Sequence, residues 1–280
     1  MSGRGAAALA FTPDGAQLVT ADGGTVSVWR ELDLVRSREC FGHNIHVLAI
    51  SPDGTRVALG GDEPVVRVCE LATLAEVAMV AVKDCAAALV WSGDGRRLHV
   101  LDRGRRVGQW EFGGELTDAA FDGPEDIAAD AAGRLLVGAA RLTLRVRDQA
   151  GRTVRDIGTG LSLGLTRVAL TPDGALVAAG SLEGEVAVWD VASGRQVWLG
   201  GLGSDPVESL KFSADGRMLA AGKSAENPAS YNVVLWDAGS GRIIRRWQLH
   251  GGFFNDLAFR PDGRRLASCS GSEIVILEIA

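Results

Sequence analysis

The feature that most constrains this chain is a four-residue turn that recurs seven times in register. The copies end at Gly15, Gly54, Gly95, Gly133, Gly174, Gly216 and Gly263, so that successive glycines are 39, 41, 38, 41, 42 and 47 residues apart. The fullest copies read Thr12-Pro13-Asp14-Gly15 and Thr171-Pro172-Asp173-Gly174. Proline presets φ at the second turn position, and glycine accepts a positive φ at the fourth. Because short apolar runs lie on both sides of most copies, each unit is predicted to begin with a β-hairpin.

A third strand follows each hairpin and ends on a tryptophan in four of the seven copies. These tryptophans are Trp29, Trp110, Trp189 and Trp236. A polar turn and a fourth apolar segment come next in most copies. No segment has the 3.6-residue periodicity of a long amphipathic helix. The sequence therefore predicts an all-β protein built from four-stranded units.

Composition narrows the class of protein further. The chain has 280 residues, 46% of them hydrophobic, which is enough to bury a sizeable core. Its net charge of −6 argues against a nucleic-acid partner, which selects for excess cations. No apolar run is long enough to span a bilayer, and the four cysteines lack the paired spacing of a zinc site or a disulfide framework. We therefore expect a cytoplasmic protein with reduced thiols, no membrane contact and no cofactor.

These residues resemble the WD-repeat β-propeller family, in divergent repeats like those of bacterial members. The resemblance covers essentially all 280 residues. It implies a single seven-bladed β-propeller of four-stranded antiparallel blades, which begin near residues 7, 46, 86, 126, 166, 207 and 255. The tryptophans would then fill the gaps between blades. The polar network that braces many family members is mostly absent, although Gly42-His43 precedes Asp62 as the family pattern requires.

Closure of the ring is the most informative departure from that pattern. The chain ends just after the third strand of blade seven, and Met1–Ala6 is too short to supply both a fourth strand and its connection. We expect the last blade to lack its own outer strand. Natural sheets avoid an unpaired apolar edge like the one at Ile274, Val275, Ile276 and Leu277. We expect a strand donated by a partner, or chain beyond a domain boundary, to cover it.

The resemblance implies a non-catalytic protein-protein interaction platform, a scaffold or sensor domain. In this fold the turns between second and third strands share one face with the connections between blades. That assignment places Asp62, Glu63, Asp102 and Glu183 on an acidic face, which would speed the encounter with a basic protein or peptide. A merely solvated acidic surface is the alternative.

One corner of that face is a candidate docking site. A long loop in blade six carries Lys223, Glu226 and Tyr231, and the connection into blade seven carries His250, Phe253 and Phe254. Aromatic side chains on adaptable loops suit recognition. The alternative is that Phe253 and Phe254 tuck into the core.

Motifs for catalysis are weak. Gly160-Leu161-Ser162-Leu163-Gly164 matches a nucleophile elbow but lacks the strand-to-helix setting, and Gly222-Lys223-Ser224 lacks the spacing of a phosphate-binding loop. The four histidines have no metal-binding spacing. A propeller enzyme of lactonase or hydrolase type would instead need polar side chains converging in the central channel, and a carbohydrate or small-ligand binder would need aromatic shelves in every blade.

Overall fold

The computed structural model describes residues 5–119, 121, 123–224, 231–251, 253–271 and 273–279. Strands and turns account for the regular structure, and the described residues contain no helix. Accordingly, none of this part of the chain forms a helix that could cross a membrane.

The first four blades are four-stranded sheets whose antiparallel strands pair in chain order. Their strands are, blade by blade, β1 (Ala8–Phe11), β2 (Leu18–Asp22), β3 (Thr25–Arg30) and β4 (Asp33–Glu39); β5 (Ile45–Ile50), β6 (Arg56–Gly61), β7 (Val65–Glu70) and β8 (Glu76–Ala81); β9 (Ala86–Trp91), β10 (Arg97–Asp102), β11 (Val107–Glu111) and β12 (Leu116–Asp118); β13 (Asp126–Ala129), β14 (Leu135–Ala140), β15 (Thr143–Asp148) and β16 (Thr153–Gly158).

Blades five and six repeat this plan, and blade seven has three strands among the described residues. Their strands are β17 (Leu165–Leu170), β18 (Leu176–Ser181), β19 (Glu185–Asp190) and β20 (Gln196–Gly201); β21 (Ser209–Phe212), β22 (Met218–Gly222), β23 (Val233–Asp237) and β24 (Ile243–Trp247); β25 (Asp256–Phe259), β26 (Arg265–Cys269) and β27 (Ile274–Glu278). The predicted fold class, including the missing outer strand of the last blade, is confirmed.

The seven sheets form a closed ring. Each blade's first strand contacts the first strand of the next blade, and β1 contacts β25. The core is therefore a set of apolar layers between neighbouring blades. The tryptophans at the ends of third strands are buried there, with Trp29 5% and Trp236 1% exposed.

The recurring turn is rigid because its side chains satisfy its own backbone. In the first copy the Thr12 hydroxyl donates to the Asp14 carboxylate at 2.5 Å, and the same carboxylate accepts the Ala16 amide at 3.0 Å. These hydrogen bonds, that from Thr12 foremost, lower the pKa of Asp14. The turn of blade four is held by different hydrogen bonds, because Asp130 stands at its first position. The Asp130 carboxylate accepts the Leu135 amide at 2.9 Å and pairs with Arg134 at 3.1 Å.

Candidate interaction face

Turns and connections lie together on one side of the ring, and we call this side the connection face. It consists of the turns between second and third strands together with the connections from one blade to the next. Backbone hydrogen bonds join the two sets of segments: Phe41 donates to Gly24 at 3.1 Å, and Leu182 donates to Gly164 at 3.1 Å. The face is therefore a continuous surface of interlocked loops rather than a set of separate ones.

At the corner of blades six and seven, Asn232 joins the long blade-six loop to the connection. Its side chain donates to the His250 carbonyl at 2.8 Å and accepts the Leu249 amide at 2.8 Å. On the other side of the loop, the Ser224 hydroxyl accepts the Phe254 amide at 3.0 Å and donates to the Glu208 carboxylate at 2.8 Å. Both ends of the loop are thus fixed to the connection into blade seven.

His250 lies beneath this corner and is 3% exposed. Its Nε2 shares a hydrogen bond with the Ser268 hydroxyl at 2.8 Å, and its Nδ1 lies 3.1 Å from a carboxylate oxygen of Glu273. Burial lowers the pKa of His250, and the nearby Glu273 carboxylate opposes that shift. Lys223 is also buried, and its Nζ lies 2.5 Å from Asp205. Both side chains hold the loops in place.

Two aromatic side chains at this corner face solvent. Phe253 is 84% exposed and Tyr231 is 54% exposed, whereas Phe254 is 4% exposed and packs with its ring edge toward His250. The guanidinium of Arg246 lies 5.7 Å from the centre of the Tyr231 ring. Glu226, the remaining candidate here, lies outside the described residues.

The predicted acidic residues differ in how much negative charge they present. Asp62 is exposed and shares a 2.6 Å hydrogen bond with His46, which lowers the pKa of the Asp62 carboxyl. Glu63 pairs with Arg67 at 2.9 Å. Asp102 is buried and accepts the Arg106 amide at 2.9 Å. Glu183 is exposed and has no ion-pair partner among the described residues.

The edge of blade seven is apolar along its length. Ile274 is buried, and Val275, Ile276 and Leu277 are half-buried. Ile276 packs toward blade one and Leu277 toward blade six. The Ile279 amide donates to the Arg264 carbonyl, so these two residues form a hydrogen-bonded pair of the antiparallel ladder. Leu277 and Leu266, two residues further along each strand, form the next such pair. By the alternation of antiparallel ladders, the backbone N–H and C=O of Ile276 point away from β26.

Polar side chains do converge on the central channel, which has a volume of about 360 Å³. Burial raises the pKa of Asp126, whose carboxylate accepts the Val168 amide at 3.0 Å. Arg167 donates to the Glu208 carbonyl at 2.6 Å, and the Asp256 carboxylate accepts the Ser209 hydroxyl at 2.9 Å. These groups are bonded to one another or to the backbone, as the wall of a packed channel requires.

The catalytic motifs of the sequence lie in loops. Residues 159–164 connect β16 to β17, and the Ser162 amide donates to Glu185 at 2.6 Å. Lys223, of the motif that ends like a phosphate-binding loop, forms an ion pair with Asp205. The described residues contain no group of three or more side chains suited to a metal ion.

Sequence reasoning missed the bracing network of blade seven and misplaced that of blade two. The contacts among His250, Ser268 and Glu273 form a polar brace of the kind that the sequence predicts to be mostly absent, although Leu249 stands where the family pattern has glycine. In blade two it is His46, not His43, that bonds Asp62. In blade one the Trp29 indole donates to the Thr20 hydroxyl at 2.9 Å. The available signal was a threonine or serine on the second strand of these two blades, Thr20 in blade one and Ser268 in blade seven.

The ring of seven blades and their shared turn chemistry define a β-propeller. The family model described as WD domain, G-beta repeat matches residues 4–30, 157–190 and 241–277. These ranges cover the first three strands of blades one, five and seven, except for the last residue of β27. The curated proteins include no match to this sequence. The fold is a seven-bladed β-propeller, and three of its blades match the WD-repeat family model. Propellers of that family are generally non-catalytic and commonly mediate protein interactions.

Proposed function

We propose that this propeller is a non-catalytic platform that binds a protein or peptide segment on its connection face, at the corner of blades six and seven. One observation carries the proposal: Phe253 is 84% exposed on loops that hydrogen bonds fix in place. A large aromatic side chain exposed on a rigid loop adds nothing to the core, but it provides contact area at low entropic cost. Tyr231, which is 54% exposed and precedes Asn232, adds a second exposed aromatic side chain at this corner.

The acidic residues of the face favour a basic partner. Glu183 of blade five and Asp62 of blade two are exposed on the connection face, and carboxylates on that face raise the rate of encounter with lysine-rich or arginine-rich segments. The channel, in contrast, presents side chains that are already hydrogen-bonded within the chain. We therefore favour the face over the channel as the functional surface.

The test is a double variant, Tyr231→Ala with Phe253→Ala. We expect it to lose the partners that the wild-type protein retains from extracts of its source cells, measured by quantitative mass spectrometry, with an unchanged melting temperature. The control is Val197→Ala with Leu199→Ala, which removes two exposed apolar side chains, 41% and 56% exposed, from the outer strand of blade five. If the double variant and the control retain the same partners, this corner is not the docking site.

We also propose that a strand donated by a partner pairs with β27. Ile276→Pro removes an N–H that points outward, so the fold should persist while strand pairing is lost. Leu277→Pro removes an N–H that bonds to β26 and should lower the melting temperature instead. If Ile276→Pro captures as much partner as the wild type, the edge does not receive a strand.

A further inference from the structure

Three exposed leucines lie together on the connection face where blades four and five meet. Leu163 is 68% exposed, Leu182 is 45% exposed and Leu142 is 42% exposed. They belong to three different segments: the connection between β16 and β17, the turn after β18 and the turn after β14. We call these three residues the leucine patch.

Hydrogen bonds place the three segments side by side. The Thr159 amide donates to the Leu142 carbonyl at 2.9 Å, and the Leu165 amide donates to the Arg141 carbonyl at 2.8 Å. On the other side, the Leu182 amide donates to the Gly164 carbonyl at 3.1 Å. A Cβ added at Gly164 would lie 3.8 Å from a methyl group of Leu182. The three segments that carry the leucine patch are therefore adjacent, and the segment of Leu163 lies between those of Leu142 and Leu182.

The repeat itself does not require these leucines. The equivalent turns of the first three blades carry polar or small residues, namely Asp22-Gly23, Asp62-Glu63 and Arg103-Gly104. Leu163 also has a φ of +55°, a left-handed conformation that a branched side chain rarely adopts. An exposed leucine in a strained backbone conformation stabilises neither the loop nor the core, so its side chain points to a role in recognition.

Opposite charges flank the leucine patch. Glu183 follows Leu182 and Arg141 precedes Leu142, and both are exposed without an ion-pair partner among the described residues. An occupant with the complementary order of charges would gain two ion pairs at the rim of an apolar contact.

We propose that the leucine patch binds a short segment of a partner protein that has apolar side chains at its centre, a lysine or arginine against Glu183, and an aspartate or glutamate against Arg141. This inference shares the connection face with the proposed function, but it depends on residues of blades four and five alone. The Tyr231→Ala, Phe253→Ala variant should therefore retain this binding, which separates the two proposals.

The experiment is selection of a phage-displayed library of random twelve-residue peptides on the wild-type protein, with depletion on Leu163→Gly. Glycine adopts a φ of +55° without strain, so Leu163→Gly should have an unchanged or higher melting temperature. Synthetic copies of the selected peptides should carry the predicted order of charges. Their affinity should fall at least about tenfold in Leu163→Gly, as expected for a central contact.

A charge exchange tests the predicted orientation. The double variant Arg141→Glu with Glu183→Lys keeps the net charge but reverses its order across the leucine patch. It should bind the selected peptides weakly and bind peptides of reversed charge order instead. Equal binding of both peptide sets would overturn the predicted orientation and the partner chemistry with it.

Two further results would overturn the proposal. One is a clear drop in melting temperature for Leu163→Gly, or no enriched peptide that distinguishes it from the wild type, because Leu163 would then be structural. The other is self-association of the wild type in sedimentation velocity that Leu163→Gly abolishes, because a second copy of this chain would then be the occupant.

Discussion

The interface between blades five and six is tightly packed, whereas the interface between blades three and four contains a cavity, although equivalent strands form both. Between blades five and six, Trp198 and Trp236 stack with ring centres 5.9 Å apart, and the Trp198 indole donates to the Ala238 carbonyl at 2.7 Å. Between blades three and four lies a cavity of about 250 Å³. One repeat therefore tolerates both a tight and an open contact within one ring.

The cavity between blades three and four, which we call the open contact, lies where three residues differ from the apolar or larger side chains at the equivalent positions of other blades. Blade four has Arg147 where Trp236 lies in blade six, and Ala129 precedes its turn where Leu170 does so in blade five. Blade three contributes His99, whose buried Nδ1 has no hydrogen-bond partner among the described residues. The two turns nevertheless touch: a Cβ at Gly93 would lie 2.3 Å from the carbonyl carbon of Ala132. Blades three and four are thus close at this turn and separated where the side chains are missing.

The largest expected effect is at the tight contact. Trp236→Ala should lower the free energy of unfolding by about 3–5 kcal/mol, because it removes a fully buried indole and leaves a cavity. Arg147→Ala, at the same position of blade four, should cost only about 1 kcal/mol, since it removes an ion pair with the half-exposed Asp156. Urea denaturation followed by circular dichroism measures both. Similar losses for the two variants would show that the interfaces do not differ in strength.

The second effect is a pH dependence that originates at the open contact. Burial, followed by the charge of Arg97, lowers the pKa of His99 from 6.5 to about 4. The folded state thus binds this proton more weakly than the unfolded state, so stability present above pH 6.5 is lost as the pH falls toward 4. The shift corresponds to about 3 kcal/mol.

Between pH 7 and pH 4, the free energy of unfolding of His99→Gln should fall by about 3 kcal/mol less than that of the wild type. Urea midpoints at each pH measure both. Carboxylates titrate in both proteins over this range, so the difference between the two isolates His99. The control is His43→Gln, which changes an exposed histidine and should retain the wild-type profile. A profile of His99→Gln that follows the wild type would show that His99 is protonated freely in the folded state.

The ring could be predicted from sequence because its determinants are local. Each turn contains its own aspartate and glycine, and four of the seven also contain a proline. Trp189-Asp190 and Trp236-Asp237 mark the ends of third strands. The docking corner depends instead on contacts between distant residues. Phe253 and Phe254 are adjacent and chemically identical, yet Phe254 packs over Gly222 in the apolar layer between blades six and seven and Phe253 is exposed. The leucine patch joins three segments in the same way, so no single stretch of sequence reveals it.

The smallest expected effect tests whether a larger apolar side chain can fill the cavity between blades three and four and stabilise the fold. Ala129→Leu places a larger apolar side chain at the edge of the cavity, as Leu170 does in blade five, and should raise the free energy of unfolding by about 1 kcal/mol. The same substitution at Ala169, which is 6% exposed in the layer between blades five and six, should lower it by about 1–3 kcal/mol through overpacking. Opposite signs in the two urea titrations would attribute the difference to packing. A loss in both variants would mean that the cavity is already occupied by hydrogen-bonded water around His99, because a leucine would then displace water that the imidazole needs.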